Sequence, residues 1–174
     1  PPACALKPPC LAVNGFAGAA VIGPRGRGPR LVAGASHLFP ATRHAMGFEV
    51  GTAGLRIQLD RSLPKMLEEG LRPVVERFLA AQDLDLEDVG LHLVHTGGRR
   101  VLDVYENIFG LPADALRASR EALRLYGNLS SASILTVIDT ARRLGLRPAE
   151  GTLALVVAFG PGLAAELSLL AWDS

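Results

Sequence analysis

The stretch Leu91-His92-Leu93-Val94-His95-Thr96-Gly97-Gly98 is a short apolar run, residues 91–94, that passes straight into a polar turn holding two glycines. Residues 99–109 then read as a helix. A strand that ends in a glycine turn and feeds a helix is a building unit of α/β layers. Such sheets present ligands at the ends of their strands, and glycines let a backbone approach closely. His95 is therefore the first candidate functional residue, set against the ordinary reading of a histidine satisfied in a core.

On the N-terminal side, residues 16–23 have the small, apolar character of a buried strand, and residues 31–37 read as another. Residues 40–54 are rich in glycine and read as a loop. Leu55, Ile57 and Leu59 alternate with polar residues, which predicts a half-buried strand. Ser62 followed by Leu63-Pro64 marks a helix start, and Leu67, Leu71, Val74, Val75, Phe78 and Leu79 recur at helical spacing up to about residue 81. On the C-terminal side, residues 112–126 predict a helix closed by Gly127, and residues 129–144 a further one. Residues 145–151 read as a surface linker. Two apolar strands follow, joined at Phe159-Gly160-Pro161-Gly162. The alternation of strands and helices gives the α/β class.

Of the 174 residues, 49% are hydrophobic and 20% charged, with 18 Lys and Arg against 17 Asp and Glu. That is too apolar and too balanced for a disordered chain. A chain of this length is usually one domain that buries roughly two-thirds of its unfolded surface. A net charge of +1 leaves no broad basic face, and 5% aromatics are too few for a surface of stacked bases. No nucleic-acid partner is expected. Cys4 and Cys10 make no disulfide framework, and no Cys/His spacing fits zinc, so no metal is expected. The first residues lack the apolar run of a signal peptide. Residues 153–172 carry little charge, but Gly160-Pro161-Gly162 and Glu166 interrupt them, which favours two buried strands over a membrane span. A cytoplasmic location without membrane association is the expectation.

Two more stretches place polar groups beside buried elements. In Tyr126-Gly127-Asn128-Leu129-Ser130-Ser131-Ala132, Asn128 sits at the junction of two helices, where an asparagine is often no more than a cap. Phe159-Gly160-Pro161-Gly162 is a rigid turn of a kind common in hairpins. In order and spacing, these stretches and the histidine turn resemble motifs of the type III polyketide synthases, the chalcone-synthase-like family. His95-Thr96-Gly97-Gly98 with Leu102-Asp103 resembles the family's histidine motif. Arg120 with Tyr126–Ala132 resembles its asparagine motif, and Phe159-Gly160-Pro161-Gly162-Leu163 with Glu166 its glycine-proline loop. Met46-Gly47-Phe48, Val50-Gly51 and Gly54 match a stretch usual in bacterial members. The likeness runs from about Phe16 to Trp172, giving a domain at 16–174 behind an unmatched proline-rich segment at 1–15.

The resemblance implies the C-terminal half of a thiolase-like fold, a mixed β-sheet layered with helices. It implies an acyltransferase that joins a malonyl-CoA unit to an acyl-CoA starter by decarboxylative Claisen condensation, with CoA thioesters as substrates and no further cofactor. His95 and Asn128 would be the catalytic pair, donating to the enolate oxygen. Phe16, Phe48, Ile57, Ser130, Phe159, Gly160, Pro161 and Gly162 would line the substrate pocket, with core packing as the plainer reading of Phe48 and Ile57. Arg99 and Arg100 would face the phosphates of CoA. The family's nucleophilic cysteine belongs to the other half of the fold. Neither Cys4 nor Cys10 has that residue's small-residue surroundings, so the chain alone is expected to be inactive and to need an N-terminal half or a partner copy. Thr96 stands where many members have proline, and residues 14–20 lack the aspartate of the family's corresponding strand. The alternatives are a ketoacyl synthase III-like condensing enzyme, which shares the His/Asn pair, and a non-catalytic fragment that binds a partner chain.

Overall fold

The computed structural model describes residues 17–20, 28–52 and 54–171. Among the described residues six strands and four longer helices follow one another: β1 Arg30–Leu38, β2 Met46–Gly51, β3 Gly54–Leu59, α1 Leu63–Ala80, β4 Val89–Val94, α2 Arg99–Phe109, α3 Arg117–Tyr126, α4 Ser133–Arg143, β5 Leu153–Gly160 and β6 Ala164–Ala171. Single 3-10 turns stand at Leu86–Asp88 and Ser130–Ala132. Four strands form a mixed sheet in the order β1-β6-β5-β4. β4 runs parallel to β5, while the other pairings are antiparallel.

Alternation along the strands divides the core in two. Val94, Leu155, Val157, Phe159, Leu167 and Leu169 join a cluster with the apolar stripe of α1 and with Leu102 and Tyr105 of α2. Leu91, Leu93, Ala154, Val156 and Leu170 instead meet Ala118 and Ala122 of α3 and Val137 and Ala141 of α4. The sheet is thus covered by α1 and α2 on one face and by α3 and α4 on the other, as period-2 strands require when both faces are buried. Residues 153–171, read for their apolarity as two strands, are β5 and β6 in the middle of that sheet. Among the described residues no helix is long and apolar enough to cross a membrane.

Several boundaries differ from the sequence reading, each for a local reason. Residues 46–51, expected in a loop, are β2, because Met46, Phe48 and Val50 alternate with small or polar residues behind the glycines. β2 and β3 pair as a ribbon in which Met46 faces Leu59, Phe48 faces Ile57 and Val50 faces Leu55. The ribbon is more open than that alternation predicts: Phe48 and Leu59 are each 50% and Val50 82% exposed, while Met46 and Ile57 are partly buried. Residues 112–116 make turns, with Ala115 N–H donating to Pro112 O and Arg117 N–H to Asp114 O, so α3 opens at Arg117 and not at Pro112. Ser62 precedes α1 as expected, yet its side chain caps nothing. Asp60 holds Ser62 in place ahead of the helix, accepting from the Ser62 N–H at 2.7 Å and the Ser62 hydroxyl at 2.5 Å. Those two hydrogen bonds hold the Asp60 carboxyl below the usual range. Residues 17–20 are exposed and irregular, and the rest of the expected strand at 16–23, Phe16 included, lies outside the described residues.

Candidate active site at the sheet end

Because β4 and β5 are parallel and β6 returns antiparallel, the ends of β4 and β5 and the start of β6 share one end of the sheet. His95 leaves β4 there, its N–H donating to Val157 O at 2.8 Å. Its side chain is 9% exposed, and burial holds the imidazole below its ordinary pKa. It is neutral at pH 7, with one ring N–H to donate and one nitrogen to accept. Gly97 N–H turns back to His95 O at 2.8 Å, and Gly98 caps α2 with φ 148° and ψ 162°. A side chain on that backbone is strained, so this turn demands glycine.

Asn128 sits between α3 and α4. Gly127 ends α3 at φ 70°, ψ −158°, another conformation that glycine alone adopts comfortably. Asn128 Oδ1 accepts from Ser130 N–H at 2.8 Å and stands 3.4 Å from Ser133 Oγ. A backbone N–H can only donate, so this contact fixes which way the amide faces. The oxygen is committed to the chain's own backbone, and the amide N–H pair is what Asn128 can offer a ligand. Ser130 itself lies at φ 55°, a left-handed turn that delays the expected helix until Ser133. Ser133 Oγ accepts from Leu129 N–H at 2.8 Å and secures the same turn. Gly98→Ala and Gly127→Ala are each expected to lower the unfolding free energy by ~1–3 kcal/mol, read as earlier urea midpoints. Unchanged midpoints would show that these turns relax without cost.

The two motifs meet directly. Buried Thr96 donates from Oγ1 to Gly127 O at 3.3 Å, joining the residue after His95 to the residue before Asn128. Arg120 ties α3 to α2, donating to Glu106 at 3.0 and 2.5 Å and to Asp103 at 2.7 Å. The hydrogen bonds it donates to the Glu106 carboxylate, above all, hold its guanidinium charged. Among the described residues no three His, Cys, Asp or Glu side chains converge as a metal site would.

The remaining candidates are scattered around this end of the fold. The Gly160-Pro161-Gly162 turn packs on the β1 side, with Gly162 N–H donating to Met46 O at 2.7 Å and Thr42 Oγ1 to Gly162 O at 3.0 Å. Phe159 is buried in the core beside α1 and α2, and Ser130 is exposed. Phe48 and Ile57 are cross-strand partners on the ribbon, outside the buried core. Arg99 and Arg100 are exposed in the first turn of α2, next to the His95 turn. Sequence reading passed over His92. It faces α2 from β4, its Nδ1 3.0 Å from the Tyr105 hydroxyl and its ring beside Phe109, and burial pushes its pKa down to about 4. The signal was present in the alternation of β4, which puts residues 92 and 94 on one face.

Comparison with known proteins gives this fold a family. The family described as "Chalcone and stilbene synthases, C-terminal domain" matches residues 30–171. A 1,3,6,8-tetrahydroxynaphthalene synthase of Streptomyces peucetius subsp. caesius is 40% identical over 152 residues, covering 86% of this chain and 40% of the relative. The crystal structure of the 1,3,6,8-tetrahydroxynaphthalene synthase from Streptomyces coelicolor A3(2), a bacterial type III polyketide synthase, superposes with a TM-score of 0.80 at 33% identity, covering 88% of this chain and 44% of that one. The C-terminal type III polyketide synthase domain of a Dictyostelium type I/III hybrid gives 0.74 at 30% identity, covering 84% and 41%. The chain spans about two fifths of the length of the curated relatives it matches. A mixed sheet between two helical layers, with the histidine and asparagine turns bonded to each other at its end, is thus the C-terminal, thiolase-like domain of the chalcone and stilbene synthase family, to which this chain belongs.

Proposed function

We propose that this domain supplies the oxyanion-binding side of a type III polyketide synthase active site, using malonyl-CoA and an acyl-CoA starter. The observation that supports it most is the fixed amide of Asn128, whose oxygen is occupied and whose N–H pair is left to donate. In the reaction the C–C bond to the malonyl carboxylate breaks, carbon dioxide leaves, and the electron pair passes into a thioester enolate. The enolate carbon attacks an acyl group held on a cysteine, a C–C bond forms, and the thiolate departs with the C–S electrons. Negative charge develops on the enolate oxygen, so preorganised donors aimed at it lower the barrier. Neutral His95 and the amide of Asn128 are those donors. Arg99 and Arg100, exposed beside the turn, would attract the phosphates of CoA.

The nucleophile is assigned to the part of the fold that the relatives carry beyond the matched region, supplied as an N-terminal half or by a partner. Cys4 and Cys10 lie outside the described residues. Without a cysteine to hold the acyl group, the enolate has nothing to attack. The test supplies acyl-CoA and malonyl-CoA to the 174-residue chain alone, and then to the chain joined to the cysteine-bearing N-terminal half of the S. coelicolor synthase. No product is expected from the first and condensation from the second. Turnover by the chain alone, lost on Cys4→Ala or Cys10→Ala, would show that the nucleophile is misplaced. A joined enzyme indifferent to His95→Ala and Asn128→Ala would overturn the reading.

A further inference from the structure

The geometry points to Thr96 and Ser119 as a positioning pair that sets the spacing between His95 and Asn128, a role that rests on the site proposed above. Among the described residues, β4 is an edge strand paired with β5 alone. His95 N–H reaches across to β5, so the N–H of Val94 points the other way, and a buried backbone donor needs a partner. Ser119 of α3 provides it, its Oγ accepting from Val94 N–H at 2.9 Å. Two residues further on, Thr96 Oγ1 bonds Gly127 O at 3.3 Å. Both side chains are 0% exposed. The residues on either side of His95 are therefore fastened to α3, at Ser119 and at the glycine that closes the helix.

Asn128 follows that glycine directly and is held in turn through Ser130 N–H and Ser133 Oγ. The hydrogen bonds thus run from the backbone beside His95, through α3, to the amide of Asn128. They use none of the ring nitrogens of His95 and neither N–H of that amide. A framework of this kind fixes two donors while leaving both for the ligand. Displacing one by about 1 Å costs on the order of a hundredfold in rate.

Thr96→Val removes the hydroxyl and keeps the branched shape, Thr96→Ala does so without the added methyl, and Thr96→Ser restores the donor. In the joined enzyme, Thr96→Val and Thr96→Ala are expected to lower kcat roughly tenfold to a hundredfold with KM for malonyl-CoA unchanged. Thr96→Ser should recover most of the loss. In the 174-residue chain itself, the side-chain amide resonance pair of Asn128 should shift or broaden in the two deletion variants and return in Thr96→Ser. A kcat that falls only in step with the unfolded fraction, or an Asn128 resonance unmoved by losing the hydroxyl, would overturn the proposal. A joined wild-type enzyme without condensation would sink the function proposed above, while the resonance test would still decide the positioning role.

Discussion

Asn128→Asp is expected to cut condensation by the joined enzyme by roughly 10²–10³-fold or more, the loss that follows removal of one oxyanion donor. The substitution tests the site because it separates structure from chemistry. An aspartate Oδ would accept the same hydrogen bonds from Ser130 N–H and Ser133 Oγ that Asn128 Oδ1 accepts. An ionised carboxylate is a better acceptor than an amide oxygen, so the turn between α3 and α4 should hold and the melting temperature should not fall. What disappears is the N–H pair on the other side of the side chain. In its place stands a second oxygen, carrying charge of the same sign as the enolate. Asn128→Ala behaves differently, since it also strips the partner from Ser130 N–H and should cost both activity and about 1 kcal/mol of stability. A joined Asn128→Asp enzyme within a few-fold of wild-type kcat would remove Asn128 from the chemistry.

The sequence made some of this legible and hid the rest for identifiable reasons. α2 was readable almost to the residue because a glycine turn opens it at Arg99 and Gly110 closes it in a left-handed conformation. α1 was readable because its seven buried positions keep helical spacing through eighteen residues. β2 was missed because Gly47 and Gly51 hide a period of two, and only the register with β3 shows that Phe48 and Ile57 stand opposite each other. The residues His95 and Asn128 stood out in their motifs, but their connection did not. The hydrogen bond that joins the motifs links Thr96 to Gly127, 31 positions apart. The direction of the Asn128 amide depends on where Ser130 N–H points, which follows from a left-handed serine that no propensity predicts. Local pattern gives elements, and contact between distant elements gives the site.

His92 carries the second large effect, on stability against acid. It sits on the inner face of β4, 6% exposed, against the Tyr105 hydroxyl and beside Phe109. Burial disfavours the imidazolium, so the folded pKa is about 4, against 6.5 for an ordinary histidine. The unfolded chain therefore takes up a proton below pH 6.5 that the folded chain refuses until about pH 4. Stability is at its full value above pH 6.5 and falls as the pH drops through this window, because there the unfolded state binds more protons. The difference amounts to ~3 kcal/mol at the acid end, at ~1.4 kcal/mol for each unit. His95, held down by burial as well, adds to the slope in the same direction. Asp60, Glu121 and Asp139, whose carboxyls are lowered by hydrogen bonds from Ser62, Arg124 and Arg142, lose their contributions only at lower pH. The interval from pH 6.5 to 5 thus belongs to the two buried histidines. Urea unfolding across that interval should show the wild-type chain weakening steadily, and His92→Gln, which keeps a polar partner for Tyr105 without a titrating proton, should flatten the slope. A slope as steep in His92→Gln as in wild type would mean that water reaches the imidazole and that this part of the core is open.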